Sequence, residues 1–251
     1  MKFVQVFIVS IAFTLMAFNR SQEPLKVYLI GDSTISEKLT TAYPETGWGM
    51  PFSHFFDSTV VVENHAKNGR STKTFLSENR WAPIVDKLKA GDYVFIQFGH
   101  NDESKTKVER YTTPDQYKSN LKRFVTETRQ KKANPVLLTP VARRVFKAGE
   151  ISESHAVYSA LVREVAREEG VPLIDLDKSS MDLYRRFGEE HSKLLFLHLQ
   201  PREHPNYPEG KTDNTHFNEL GARLIAQLVL KDIIGLKLGL ADHVVKPKPK
   251  P

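Results

Sequence analysis

The 251-residue sequence contains no cysteine. This absence excludes disulfides, thiol nucleophiles and thiolate metal sites together. Long apolar runs are also missing, except at the start. There an uncharged stretch runs from Phe3 to Asn19 after Lys2 and is followed by the polar "RSQEP". It is shorter than the ~20 apolar residues a spanning helix needs. A basic start, an apolar middle and a polar end form the pattern of a secretory signal peptide, here residues 1–21. The mature chain is therefore expected to be exported without a membrane span. Export without disulfides points to a bacterial periplasm or cell exterior. An excess of charge is missing as well. The formal net charge is +6, but Lys2, Arg20, Lys246, Lys248 and Lys250 lie at the ends and leave the folded part near +1. A near-neutral domain has no electrostatic footprint for a nucleic acid partner. No G-x-S-x-G, H-E-x-x-H, Walker loop or G-x-G-x-x-G is found. A nucleophile elbow, a zinc-protease helix and nucleotide-phosphate loops thus have no support, and neither a metal nor a cofactor is implied.

What is present reads as one α/β domain over residues 22–245, with 40% hydrophobic and 26% charged residues, no linker and no internal repeat. The final "KPKPKP", residues 246–251, reads as a disordered tail. Short, nearly continuous apolar runs predict strands at Lys26–Ile30, Val60–Asn64, Tyr93–Phe98, Pro135–Thr139 and Pro172–Leu176. Runs of this kind suit parallel strands buried on both faces. Helical periodicity predicts Pro114–Lys131 with Thr113 as N-cap, Ser154–Glu169 ending at Gly170, and Asn218–Ile234. The alternation implies a parallel sheet with helices on both faces. Functional groups then gather at the carboxyl ends of the strands.

Those ends carry chemistry-bearing residues. "VYLIGDST" places Ser33 just past the first strand, "NHAKNGRSTKTF" places Gly69 past the second, and "FGHND" places Asn101 past the third. "TDNTHFN" sets Asp213 and His216 three residues apart before the last helix. Each stretch alone also reads as a turn or a helix cap. Their joint order fits acyl transfer, which needs a nucleophile, a base, a group to orient that base, and donors for an oxyanion. Ser33, His216 and Asp213 are candidates for the first three roles. The backbone N–H groups of Ser33 and Gly69 and the amide of Asn101 are candidates for the fourth, and a glycine lets backbone approach a substrate closely.

These blocks resemble the GDSL, or SGNH, hydrolase superfamily: Gly31-Asp32-Ser33, Gly69, Gly99-His100-Asn101-Asp102 and Asp213-Asn214-Thr215-His216. The resemblance spans roughly Leu25 to Ile234. It implies a flavodoxin-like three-layer α/β/α sandwich around a five-stranded parallel sheet, and ester hydrolysis through an acyl-serine. The surrounding "GWGMPF", "NGRSTKTF" and "TPVARRVF" look like rhamnogalacturonan acetylesterases, which deacetylate pectin backbones. Esterases of acetylxylan, short-chain lipids or thioesters, and a non-catalytic glycan-binding protein, remain alternatives. An acetylated acidic polysaccharide would need cations beside the site. Arg70, Arg143 and Arg144 are the expected carboxylate-binding residues, because a guanidinium fork matches a carboxylate. Trp48 and Trp81 read as core packing, with sugar stacking as the alternative.

Overall fold

The computed structural model describes residues 23–246, so the expected leader and the Lys/Pro tail beyond Lys246 lie outside the described residues. The strands are β1 (Leu25–Gly31), β2 (Val60–Asn64), β3 (Tyr93–Gln97), β4 (Asn134–Leu138), β5 (Phe146–Lys147), β6 (Glu150–Ile151), β7 (Leu173–Ile174), β8 (Phe196–Leu199) and β9 (Lys211–Phe217). The helices are α1 (Gly49–Phe52), α2 (Thr72–Ser77), α3 (Ala82–Lys87), α4 (Pro114–Gln130), α5 (Ala156–Glu169), α6 (Leu176–His191) and α7 (Glu219–Gly235).

Five strands form one parallel sheet in the order β2-β1-β3-β4-β7. Its three middle strands, β1, β3 and β4, are largely apolar because both faces are covered. Val27 and Leu29 of β1 enter one core with Phe95, Val136 and Leu138. Tyr28 and Ile30 enter the other with Val94, Ile96 and Leu137. The first core is closed by Phe52 of α1, Leu183 and Tyr184 of α6, and Ile225 and Val229 of α7. The second is closed by Phe75 of α2, Ile84 of α3, Phe124 of α4 and Val162 of α5. Fully burying one such side chain contributes ~1.5–3 kcal/mol, and Leu29 and Ile30 are both 0% exposed. The result is the three-layer α/β/α sandwich that the resemblance implied. Its strand order turns back on itself at β1, so the crevice for a ligand opens at the carboxyl end of that strand.

The expected caps are in place. Thr113 accepts the Gln116 N–H in a capping box, and Gly170 closes α5 in a left-handed conformation with φ 58°. Two regions differ from the sequence reading. The fifth sheet strand is just two residues long, because the Asp175 side chain caps Lys178 N–H and Leu176 opens a helix instead. That helix, α6, was not expected: its apolar residues Leu176, Leu183, Tyr184 and Phe187 are diluted by "DKSSMD" and "RR". The second difference is that the segment of Asp213 and His216, read as lying before the last helix with a turn or helix cap as the alternative, is strand β9, paired antiparallel with β8.

Candidate active site

Gly31 ends β1 beside Gln97, and a Cβ there would lie 2.4 Å from the Gln97 carbonyl oxygen. The strand can close against β3 because the residue is glycine. Asp32 then turns inward. Its Oδ1 accepts from Thr34 N–H at 3.0 Å and from Thr34 Oγ1 at 2.8 Å. Gln97 Nε2 donates to Thr34 Oγ1 at 2.7 Å, and Trp48 Nε1 donates to Gln97 Oε1 at 2.8 Å. All four side chains are buried. Burial pushes the Asp32 carboxyl up, and the Thr34 donors oppose it. With Asp32 and Thr34 committed to the interior, Ser33 between them is left at the surface of the crevice.

The opposite wall is the β8–β9 hairpin. Its register passes from Phe196↔Phe217 to Leu197↔Asp213, so Asn214, Thr215 and His216 bulge out of the ladder. The Asp213 carboxylate builds that bulge. Its Oδ1 accepts from Thr215 N–H at 2.7 Å and His216 N–H at 2.9 Å, which leaves Oδ2 for His216 Nδ1 at 2.8 Å. His216 Nε2 reaches Ser33 Oγ at 2.9 Å. Burial would raise the Asp213 carboxyl, but the hydrogen bonds and charge of His216 and the Thr215 N–H outweigh it and hold it well below the usual carboxylate range. A serine, an imidazole and an ionised carboxylate thus stand in line, the arrangement that lets a ring remove a hydroxyl proton.

Gly69 lies in the loop after β2 with φ +76°, a conformation that favours glycine. Neither Ser33 N–H nor Gly69 N–H donates to a backbone carbonyl among the described residues. Asn101 Nδ2 donates to the Arg70 carbonyl oxygen at 3.0 Å, and Asn101 Oδ1 accepts from Arg110 Nη1 at 2.9 Å. One N–H of the Asn101 amide is therefore used and the second is left for a ligand. Asp102, next in the chain, is fully buried and accepts from Thr72 N–H, Thr72 Oγ1 and Thr112 Oγ1. Burial pushes its carboxyl up to about 7 against those donors.

The three arginines separate. Arg143 stays beside the triad, with Nη1 on Thr215 Oγ1 and Nη2 3.8 Å from Glu103. Arg144 does not line the crevice, contrary to the sequence expectation. It is 6% exposed, with its guanidinium on Ser192 Oγ, Asn214 Oδ1 and the Glu189 carbonyl oxygen. Its backbone N–H also donates to the Asn214 carbonyl oxygen at 2.8 Å, so Arg144 braces the bulge from behind. Arg70 is not a free cation either: its Nε pairs with Glu78 at 2.9 Å and its Nη1 with the Asn68 carbonyl oxygen. What it lends the site is its own carbonyl. Trp48 and Trp81 are buried, as their core-packing reading requires. Sequence reasoning missed Lys38, Arg110 and Asn214. Their contacts join residues far apart in the chain, and no local spacing signals them. Beside Lys38 a cleft of about 560 Å³ opens, lined among others by Tyr43, Glu45, Glu219 and Arg223. Among the described residues no group of three or more His, Asp or Glu is arranged to hold a metal ion, and no helix is long and apolar enough to cross a membrane.

The chain is similar to known proteins along most of its length. The rhamnogalacturonan acetylesterase RhgT of Bacillus subtilis (strain 168) is 43% identical over 230 residues, 91% of this chain and 98% of that protein. The rhamnogalacturonan acetylesterase of Emericella nidulans is 26% identical over 94% of this chain and 96% of its own length. The crystal structure of Bacillus subtilis YxiM superposes with a TM-score of 0.75 at 25% identity, covering 86% of this chain and 58% of that one. Residues 29–224 match the GDSL-like lipase/acylhydrolase family along most of the sandwich, and the chain belongs to that family.

Proposed function

We propose that the protein is a serine esterase that removes acetyl groups from the rhamnogalacturonan backbone of pectin. The observation that carries the chemistry is the contact from Ser33 Oγ to His216 Nε2 to Asp213, at 2.9 and 2.8 Å. His216 takes the Ser33 proton as Oγ attacks the acetyl carbonyl. Asp213 holds the ring and stabilises its cationic form. The carbonyl electrons move onto oxygen, where Ser33 N–H, Gly69 N–H and the Asn101 amide receive the charge. Collapse expels the sugar oxygen, which takes the proton from His216 and leaves acetyl-Ser33. Water, deprotonated by His216, attacks the acetyl group, and acetate departs as Ser33 recovers its proton.

The substrate assignment is supported by the kinship with RhgT and by Arg143, which stands beside the triad where a uronate carboxylate would pass. Export is supported by the N-terminal pattern of residues 1–21. Acetate release from acetylated rhamnogalacturonan, acetylated xylan and short-chain lipid esters tests the assignment. The pectin polymer should be much the best substrate, and its advantage should shrink as salt screens the carboxylate. Equal rates on xylan would overturn the substrate and leave the esterase.

A further inference from the structure

Two of the three oxyanion donors proposed above, the Gly69 N–H and the Asn101 amide, sit on loops joined to each other through Arg70, whose guanidinium binds the Asn68 carbonyl oxygen and whose own carbonyl accepts from Asn101. Gly69 has no side chain and a positive φ, so nothing on the residue itself anchors the Asn68–Gly69 peptide whose N–H must face the oxyanion. Asn101 has a rotatable amide, useful only if one face is fixed. Two cations from elsewhere reach these groups. Lys38, five residues after Ser33, has its side chain 2% exposed. Its ammonium donates to the Ser33 carbonyl oxygen at 2.6 Å, to Asn68 Oδ1 at 2.8 Å and to Glu45 at 2.8 Å. An ammonium has three donors, so Lys38 has none left for a ligand. Burial pushes it down from its ordinary value, and Glu45 opposes that. Arg110 comes from the loop before α4. Its Nη1 donates to Asn101 Oδ1 at 2.9 Å and lies 3.5 Å from the Gly69 carbonyl oxygen.

We propose that Lys38 and Arg110 are positioning residues that clamp the oxyanion hole from its two sides. Lys38 ties the Ser33 loop to the Gly69 loop through Asn68. Arg110 ties the Gly69 loop to Asn101 and sets the rotation of that amide. Between them, the two carbonyls and two amide oxygens that flank the donors are each bound to a cation. The donors are then in place before the substrate arrives, so no reorganisation is needed as charge develops. Both cations also add positive potential close to the developing negative charge.

This inference rests on the esterase reading, and the test separates the two. The variants are Arg110→Met, Arg110→Lys and the pair Lys38→Met with Glu45→Gln, which leaves no unpaired carboxylate. Lys118→Met, from the ion pairs between α4 and α5, is the control. Readouts are kcat and KM on p-nitrophenyl acetate, melting temperature, and Kd for a phenylboronic acid, whose tetrahedral adduct with Ser33 mimics the oxyanion. Displaced donors should lower kcat ~10–100-fold, less than outright loss of a donor, with KM within ~3-fold. The boronate Kd should rise by a similar factor, and Arg110→Lys should recover part of the loss. Arg110 is partly exposed, so its variants decide the matter even if the Lys38 pair unfolds. The clamp is overturned if kcat stays within ~3-fold of the parent, or if kcat falls while boronate affinity is unchanged. An equal loss in Lys118→Met would also overturn it. An active Ser33→Ala protein would instead remove the esterase reading itself.

Discussion

Ser33 follows β1, flanked by β2 and β3 in the central sheet, whereas His216 belongs to a hairpin outside that sheet. The turn of Ser33, the proposed nucleophile, is fixed by a fully buried line of hydrogen bonds from Asp32 through Thr34 and Gln97 to Trp48. The bulge of His216, the proposed base, is fixed by a part-exposed carboxylate and by Arg143 and Arg144 reaching across from the loop after β4. The difference is one of support. Changes behind Ser33 disturb the core and should cost stability. Changes around His216 disturb orientation and should cost turnover.

The largest expected effects lie where the halves meet. Ser33→Ala and His216→Ala should each lower kcat by on the order of 10⁴–10⁶ with an unchanged melting temperature, and Asp213→Ala should lose less, since the base remains but is poorly held. Activity of either alanine variant near the parent's would dissolve the comparison. Next comes Asn101→Ala, expected to lower kcat ~10²–10³-fold on p-nitrophenyl acetate and pectin alike.

A smaller pair of effects contrasts the supports. Gln97→Leu leaves Trp48 Nε1 and Thr34 Oγ1 buried without their partner, and should cost ~1–3 kcal/mol in denaturant unfolding. Arg143→Met should hardly move the unfolding midpoint. It should lower kcat/KM ~10–100-fold on acetylated rhamnogalacturonan, the size expected for a lost hydrogen bond to a charged group, and change p-nitrophenyl acetate turnover far less. Reversed outcomes would mean that the hairpin, not the sheet, carries the structural load.

The last contrast is in pH dependence, where the halves carry opposite signs. Asp213 is held low, so its contribution to stability is present above the unfolded value near ~3.9 and is lost as pH falls through the folded value. Asp102 is pushed up to about 7, so the folded state holds its proton longer than the unfolded chain does. Stability from that group is full below ~3.9 and declines as pH rises towards 7, by at most ~1.4 kcal/mol per pH unit. In melting curves, Asp102→Asn should therefore gain on the parent between pH 4 and 7. Asp213→Asn should fall behind at neutral pH and close the gap in acid. Parallel curves would remove the contrast.

Legibility in the sequence followed the same division. Four of the five sheet strands could be read to within one residue at each end, because parallel strands buried on both faces leave continuous apolar runs. The candidates Ser33, Gly69, Asn101, Asp213 and His216 could be picked out together because each sits in a local block at or near an element end. The β8–β9 pairing was not, because "KTDNTHF" is polar and its partner precedes it by a long turn. The fate of the arginines was equally hidden. Arg143 and Arg144 are neighbours with the same chemistry, and just the fold decides that one meets Thr215 while the other is buried on Asn214 and Ser192. Lys38 and Arg110 act through contacts with residues up to 41 positions away, beyond any motif.

The central claim is that Ser33 is the residue acylated in turnover. Mass spectrometry of the protein quenched during hydrolysis of p-nitrophenyl acetate, or treated with a serine-reactive phosphonate, measures this directly. The account predicts one adduct, on the peptide containing Ser33, absent from Ser33→Ala and slow to form in His216→Ala. An adduct on Ser71 or Ser179, or turnover with no acyl-enzyme and full activity in Ser33→Ala, would contradict it.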